Sequence, residues 1–323
     1  MLKRAILALS LAAGPAAAIE LELPVACAVG TDCFIQQYVD RDKAAGVQDY
    51  ACGGETYDGH DGTDIRLRST AEVEKGVAVL AAAAGTVVGL RDGIPDRLVR
   101  TKEDRDAVAN IECGNGVRID HGGGWVTQYC HLRQGSVAVK KGEQVKAGTK
   151  LGEIGYSGEA AFAHVHLGVS KDDQWIDPFL PDPNAACGAQ SGMLWSEAAK
   201  AALSYREGVL LGLGFADHPV SLEELETGAS LGAPTRNTPL VLYAWAINLQ
   251  GGDEMKIALK RGEEVLVENA ETLDRNKAQY MLFAGKKAPA GGWPEGPYTG
   301  VLTVLRDGKP VISETTAPLA LDE

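Results

Sequence analysis

Two histidines stand one residue apart in a short apolar run, Ala163-His164-Val165-His166-Leu167-Gly168-Val169. The apolar and β-branched residues around them predict a strand. Because side chains alternate between the two faces of a strand, His164 and His166 point the same way, with Cβ atoms roughly 6 to 7 Å apart. Two of the six histidines in the chain are therefore expected to share one pocket.

A zinc ion needs three or four ligands at about 2 to 2.3 Å, and further candidates precede this strand. His60 and Asp64 lie close together in the sequence and can complete a site with the histidine pair. His131 follows a β-like run and reaches the same pocket if the two strands are neighbours. A lone histidine is more often a surface or core residue than a ligand. Four histidines and one carboxylate in this order instead indicate a metal site.

The candidate residues fall in four short motifs: His60-Asp61-Gly62-Thr63-Asp64, Gly114-Asn115-Gly116-Val117-Arg118-Ile119-Asp120-His121-Gly122, Tyr129-Cys130-His131-Leu132 and His164-Val165-His166. In this order they resemble the H-x-G-x-D, G-N-x-V-x-I-x-H-G, Y-x-H-L and H-x-H motifs of the lysostaphin/LytM-type zinc endopeptidases. The resemblance covers roughly residues 50 to 180. It implies an antiparallel β-sheet catalytic domain of the duplicated hybrid motif type.

The resemblance also implies a role for each of five residues. His60, Asp64 and His166 would bind Zn²⁺. His131 and His164 would be catalytic, acting beside the water that attacks the substrate. The implied substrate is the peptide of peptidoglycan, in its stems or its cross-links, so that the chain would be a cell-wall hydrolase.

Beside the H-x-H motif the chain departs from the family pattern. Phe162-Ala163 and Leu167-Gly168 stand where the family usually has a Gly-Pro pair and Phe-Glu. These positions shape the substrate groove, so the bond that is cleaved does not follow from the motifs. Two other functions stay open, a catalytically silent regulator that binds and activates other wall hydrolases, and a wall-binding structural protein. Retention of all five site positions argues against the regulator.

The first residues predict a secretory signal peptide over 1–18. Lys3 and Arg4 form its charged start, the run from Ala5 to Ala13 its apolar core, and Ala16-Ala17-Ala18 its cleavage site. The apolar core is too short to span a membrane, and no later run approaches the ~18 apolar residues that a span requires. We therefore expect an exported protein of the periplasm. The net charge of −13 argues against nucleic acid as a partner.

Six cysteines in an exported chain predict disulfides. They are Cys27, Cys33, Cys52, Cys113, Cys130 and Cys187. Cys113 and Cys130 are centred on a glycine-rich turn, so an antiparallel hairpin sets them opposite each other and predicts a bond that would hold His131 over the metal. For the other four, Cys33 with Cys52 and Cys27 with Cys187 is one choice among the alternatives.

The segment from Arg91 to Glu112 is charged and lacks periodicity. It suits a solvated insertion between strands, and the alternative is a rim or lid loop near the metal. The sequence favours the insertion.

A change of composition near Met193 predicts a division of the chain. Residues 19–190 would form the zinc endopeptidase domain, residues 191–214 a helical connector, and residues 215–323 an immunoglobulin-like β-sandwich. The predicted fold class is therefore mainly β, an antiparallel catalytic domain followed by a small sandwich. No catalytic set is visible after residue 195. The C-terminal domain is thus expected to be dispensable for the chemistry, and it offers a surface for a protein partner.

Overall fold

A computed structural model describes residues 18–189 and 192–322, and most of its elements are strands. The first ten strands are β1 (Cys33–Gln37), β2 (Gly62–Leu67), β3 (Ala78–Leu80), β4 (Gly85–Arg91), β5 (Asn115–Gly122), β6 (Trp125–Leu132), β7 (Gln144–Val145), β8 (Lys150–Glu153), β9 (His164–Lys171) and β10 (Gln174–Trp175). The later strands are β11 (Val209–Ala216), β12 (Leu240–Leu249), β13 (Glu254–Arg261), β14 (Glu264–Thr272), β15 (Lys277–Lys286), β16 (Tyr298–Arg306) and β17 (Lys309–Thr315). Short helices connect them, namely a 3-10 helix over Thr70–Lys75, α1 (Lys102–Ala107), α2 (Glu197–Ala202) and α3 (Leu222–Thr227). The predicted mainly β class is confirmed.

One antiparallel sheet organises the first half of the chain. Its strand order is β1-β2-β9-β6-β5-β4-β7, with β10 paired to the end of β9. Ile65 of β2 and Val165 of β9 lie on one face of the sheet and are fully buried in the core. Because alternate residues face opposite sides, the histidines of β9 are turned to the other face.

The core beneath this sheet also takes in later residues. Trp195 packs against Phe179, and Ala199 and Leu203 of the segment around α2 belong to the same core. Leu21 pairs with Trp195 as an isolated bridge, which ties the start of the described chain to this segment. We call this part, residues 18–189 and 192–205, the N-terminal unit, and residues 206–322 the C-terminal unit.

The C-terminal unit is a sandwich of two antiparallel sheets, β11-β12-β15 and β14-β13-β16-β17. Met255, Ile257 and Leu259 of β13 are fully buried, whereas Lys256 between them is exposed. This alternation is the one that the sequence predicts, and the small β-sandwich is confirmed. Its immunoglobulin-like character stays a prediction.

Strand β12 is buried on both faces and joins the two units. Leu242 and Ala244 point into the core of the sandwich. Val241 and Trp245, on the other face, pack in a cluster that includes Phe34 of the N-terminal unit. Across the same junction Asn248 Nδ2 donates a hydrogen bond to Glu55 Oε2 at 2.9 Å. The two units therefore share a continuous apolar contact.

The predicted helical connector over 191–214 is only partly helical. Helix α2 is one short element capped by Ser196, and β11 begins at Val209. Gly208 adopts a positive φ of 104°, which ends the turn after α2 and starts the strand. The alternating run from Val209 then pairs with β12, and this pairing outweighs helix propensity.

The signal peptide predicted over 1–18 falls almost entirely on residues 1–17, which lie outside the described residues. Within the part of the chain that the structure describes, no helix combines the length and apolar character needed to cross a membrane.

Three disulfides join the six cysteines. Cys113 and Cys130 are bonded, with Cα atoms 4.8 Å apart, in the hairpin formed by β5 and β6. The other two bonds are Cys27–Cys33 and Cys52–Cys187, so the suggested pairs Cys33–Cys52 and Cys27–Cys187 are wrong. A tight turn after Cys27 returns the chain to Cys33. The backbone beside Cys52 instead meets the segment around Cys187, where Gly188 N donates a hydrogen bond to Tyr50 O. Spacing alone does not reveal either approach.

Candidate metal and catalytic site

The register of β2 against β9 builds the candidate site as successive rungs on one sheet face. Asp64 lies opposite His166, and Arg66 lies opposite His164. Since both pairs are two residues apart on their strands, all four side chains belong to the face opposite the core. The two histidines of the H-x-H motif are thus placed in adjacent rungs, as the sequence predicts.

The turn before β2 brings His60 to the same place. Its Nδ1 donates a hydrogen bond to the carbonyl of Tyr38 at 2.7 Å, which leaves Nε2 with a free lone pair. That Nε2 lies 3.2 Å from Asp64 Oδ1 and 3.2 Å from His166 Nδ1. His60 is almost completely buried.

His166 is held between two carboxylates. Its Nδ1 lies 2.9 Å from Asp64 Oδ1, and its Nε2 lies 3.3 Å from Asp61 Oδ1. The imidazole lies over Gly62, where a Cβ would stand 2.4 Å from ring atom Cε1. Glycine at this position therefore makes room for the histidine ring.

His60 Nε2, Asp64 Oδ1 and His166 Nδ1 form one compact donor set. The ligand atoms of these three residues lie within 4.8 Å of one another. Two imidazoles and one carboxylate are a usual donor set for catalytic zinc. The second ring nitrogens of both histidines have oxygen partners, Tyr38 O and Asp61, as metal-bound histidines usually have. The residues present therefore fit Zn²⁺.

His131 and His164 lie beside this donor set, with ring centroids 4.5 Å apart. Nδ1 of His131 donates to Ser157 O and Nδ1 of His164 donates to Phe162 O, each at 2.8 Å. The Nε2 atom of each ring consequently carries a lone pair. His164 Nε2 lies 3.7 Å from Asp64 Oδ1. The structure brings all five residues singled out in the sequence into one cluster.

The backbone of His131 is unusual, with a positive φ of 61° in the left-handed region. A non-glycine residue in this region costs of order 1 kcal/mol or more, and it persists only where neighbours hold it. Here His131 N donates to Cys113 O at 2.8 Å, directly beside the Cys113–Cys130 bond. The register of β6 against β5 also shifts at this point, which is typical of a β-bulge.

The carboxylates and imidazoles of the site shift one another's pKa values. Burial opposes ionisation of Asp64, but the neighbouring imidazoles of His60 and His164 and a hydrogen bond from His166 hold its pKa well below the ordinary value. Burial opposes the charged form of His166, but Asp61 and Asp64 outweigh it and raise its pKa to about 9. Burial lowers the pKa of His164 and, more strongly, that of His131. The carboxylates thus draw positive charge to His166, and the other two rings are neutral.

The cluster lines an open groove with a volume of about 740 Å³. Tyr57 and Trp175 expose 50% and 46% of their surface, so two aromatic rings are available to a ligand. Trp175 lies over Gly168, where a Cβ would stand 2.7 Å from its ring. This explains the departure from the family pattern noted at Gly168, because a larger residue there would displace the indole.

The groove wall includes residues that the sequence did not single out. Val99, Arg105 and Glu112 line it, so the segment from Arg91 to Glu112 contributes to its rim, which was the less favoured of the two predictions. Ala278 and Gln279 of β15 line it from the C-terminal unit. The groove is therefore formed by both units.

Residues 58–178 match the family model for peptidase family M23. We call this matched stretch, residues 58–178, the M23 segment. All five candidate residues and Trp175 fall within it, and Tyr57 lies one residue before it. The resemblance seen in the sequence is confirmed for the M23 segment.

Solved structures similar to the chain include M23 proteins. A protein crystallised as a peptidase M23 from Pseudomonas aeruginosa is 30% identical over 37% of this chain and 41% of that one, with a TM-score of 0.27. The catalytic domain of lysostaphin from Staphylococcus simulans is 22% identical over 44% of this chain and 85% of that one, with a TM-score of 0.29. A chain of the SpoIIQ–SpoIIIAH pore forming complex is 22% identical over 52% of this chain and 95% of that one, with a TM-score of 0.34.

The match to the Pseudomonas aeruginosa protein spans less than half of that protein's length. At these TM-scores the similarities bear on neither the activity nor the substrate of the M23 segment. Its chemistry is therefore argued from its own residues.

Four residues around the M23 site were missed by sequence reasoning. Asp61 stands at a variable position of the H-x-G-x-D motif, although a carboxylate beside a ligand histidine is a common partner. Arg66 carried a usable signal, because it follows Asp64 by two residues on a strand and so belongs to the site face. Trp245 and Gln279 are distant in sequence, and only the docking of the C-terminal unit reveals them.

Proposed function

We propose that the chain is an exported zinc metalloendopeptidase that hydrolyses peptide bonds in the stems or cross-links of peptidoglycan. One observation carries this proposal. A donor set suited to zinc lies beside two neutral histidines with free Nε2 atoms, in an open groove within an M23 segment.

His60, Asp64 and His166 are the residues that would hold the metal. When bound, zinc supplies Lewis acidity toward water and the scissile carbonyl. Tyr38 O and Asp61 orient the two ligand histidines through their other ring nitrogens. Their contribution is to keep the donor atoms aimed at one point.

His131 and His164 would move the proton. Nδ1 of each is occupied as a donor to a backbone carbonyl, so each accepts a proton only at Nε2. One of them takes a proton from the attacking water as the C–O bond forms. The protonated ring then returns this proton to the nitrogen of the leaving amine as the C–N bond breaks, giving a carboxylate and a free amino group.

The open shape of the groove suits an extended peptide. It is open and carries exposed aromatic rings together with both acidic and basic residues, such as Glu159 and Arg105. Three disulfides are typical of proteins from oxidising compartments, which fits export to the periplasm, where peptidoglycan is found. The division at residues 190 and 214 remains part of the proposal, with the C-terminal unit as an accessory domain.

The test uses the full chain lacking residues 1–18. Zinc is measured by elemental analysis, and purified peptidoglycan is then incubated with the zinc-loaded protein, with chelated protein and with His166→Ala. We expect one zinc per chain and new free amino groups in the digest, identified by mass spectrometry, only with the loaded wild type. Zinc-loaded protein that binds peptidoglycan without releasing amines would overturn the proposal in favour of a regulator or wall-binding protein.

A further inference from the structure

A buried arginine lies next to the metal rung. Arg66 is 1% exposed and stands opposite His164, one rung from the Asp64–His166 pair. Within the described parts of the chain no carboxylate lies within ion-pair distance of its guanidinium. Burying a charge without a directly paired carboxylate is costly.

Neutral groups compensate this buried cation. Its nitrogens donate to the carbonyls of Leu67 and Arg68 and to Oε1 of Gln36. Two aromatic rings also face it, with the guanidinium carbon 4.7 Å from the centroid of Phe162 and 5.3 Å from that of Trp245. A desolvated cation is stabilised by an aromatic face that lies over it. The arginine thus contacts one aromatic ring of each unit.

Phe162 in turn holds His164 in two ways. The two rings lie 4.4 Å apart, and the carbonyl of Phe162 accepts the hydrogen bond from His164 Nδ1. A continuous stack therefore runs from Trp245 through Arg66 and Phe162 to His164. We define these four residues as the support stack.

The second link between Arg66 and the C-terminal unit passes through Gln36. Oε1 of Gln36 accepts from Arg66, and its Nε2 donates to the carbonyl of Ala278 at 3.5 Å. Ala278 and its neighbour Gln279 line the groove. Two strands of the C-terminal unit, β12 and β15, are thus connected to the face that carries His164.

We propose that Arg66 and Trp245 are positioning residues for His164, so that the C-terminal unit is part of the catalytic apparatus. This rests on the proposed peptidase function. Without the indole, the guanidinium loses one of its two aromatic neighbours, and the Phe162 ring is free to tilt away from His164. A misplacement of about 1 Å at a catalytic group can cost 100-fold in rate. The expectation that the C-terminal domain is dispensable for the chemistry would then fail.

The activity test compares substitutions of two buried tryptophans in the full-length, zinc-loaded protein. Trp245→Leu removes the ring over Arg66, whereas Trp245→Phe keeps an aromatic face. Trp293, 5% exposed in the core of the sandwich, provides Trp293→Leu as the matched control, because it contacts Tyr298 and not the support stack. Each variant is assayed on purified peptidoglycan, with zinc content and folded fraction measured in parallel.

We expect Trp245→Leu to lower kcat by about tenfold or more, with KM changed less than about twofold and zinc retained. Trp245→Phe should restore kcat to within about threefold of wild type, since a phenyl ring still faces the cation. Arg66→Lys, which keeps the charge but loses the planar group, should resemble Trp245→Leu. Trp293→Leu should alter thermal stability and leave kcat per folded chain unchanged. Equal losses in Trp245→Leu and Trp293→Leu would overturn the proposal.

A second measurement follows the histidine directly. In protein labelled with ¹³C-histidine, the Cε1–H signal of His164 is assigned from its loss in His164→Gln. We expect this signal to shift or broaden in Trp245→Leu and to stay in place in Trp293→Leu. An unmoved signal would overturn the positioning role even if the enzyme is active. A wild type that binds zinc but cleaves nothing would refute the peptidase function, while this signal would still decide the positioning role.

Discussion

Nε2 of His166 lies 3.3 Å from Oδ1 of Asp61, while Nδ1 of the same ring lies 2.9 Å from Asp64. Asp61 therefore orients the imidazole and increases its basicity from the far side. We expect Asp61→Ala to weaken zinc binding by about 10- to 100-fold, as loss of such a partner does in zinc proteins. Competition with a chromogenic chelator measures the affinity. Asp58→Ala is the control, because Asp58 makes none of the described contacts with the site, and equal affinities in all three proteins would contradict this role.

The two histidines of the H-x-H motif should respond differently to substitution. His166→Ala removes one of the three proposed ligands and is expected to abolish zinc retention after dialysis. His131→Ala and His164→Ala leave the donor set intact, so these variants should keep one zinc and lose about 100- to 10,000-fold in kcat. Elemental analysis and peptidoglycan assays on the same samples make the comparison. Similar zinc loss in all three variants would show that the roles are assigned wrongly.

The Cys113–Cys130 bond should matter for both stability and catalysis. Its sequence separation of 17 residues implies about 3 kcal/mol in the chain-entropy account when both cysteines are replaced by serine. The bond also adjoins the backbone of His131, so kcat should fall while zinc stays bound. Denaturant unfolding and zinc analysis test this expectation. Replacing Cys27 and Cys33 is the matched control, since that bond lies far from His131 in the chain, and an equal fall in kcat there would argue against a local effect.

Glu55 should make stability depend on pH. Burial and the charge of Asp49 raise its pKa to about 9, so the folded state keeps a proton that the unfolded state releases near the ordinary value of 4.5. Between these two pH values the native state binds more protons than the unfolded state. The free energy of unfolding therefore falls as pH rises from about 4.5 through about 9.

Glu55→Gln imitates the protonated form and keeps an acceptor for Asn248. We expect it to raise the melting temperature at pH 8 by about 2 to 4 °C, the shift that 1 kcal/mol produces in a domain of 150 to 250 residues. At pH 5 the melting temperatures of Glu55→Gln and the wild type should be the same. A gain at pH 5 as large as that at pH 8 would show that the carboxyl group is not protonated in the fold.

Sequence reasoning located the candidate site because its determinants are local. The spacing of His164 and His166 equals the period of a strand, so their common face follows from geometry alone. The H-x-G-x-D stretch likewise encodes the turn and strand that carry His60 and Asp64. Strand-type alternation at Met255, Ile257 and Leu259 was sufficient to predict the sandwich.

The features that were missed depend on contacts between distant segments. The partner of Cys52 is set by where the chain passes after β10, and no local pattern records that path. Trp245 lies on β12, which is an almost unbroken apolar run from Leu240 to Leu249, and such runs are typical of strands buried on both faces. That run was the available signal that a second surface covers the C-terminal sheet.

The Cys52–Cys187 bond closes a segment that contains all five candidate site residues. A protease that cuts an exposed loop anywhere between these cysteines leaves two fragments that are still joined through sulfur. Diffusion cannot separate them, so the nicked sheet can close again around the same histidines. The folded chain would thereby tolerate single cuts, and it would lose its fragments only after a reductant opened that bond.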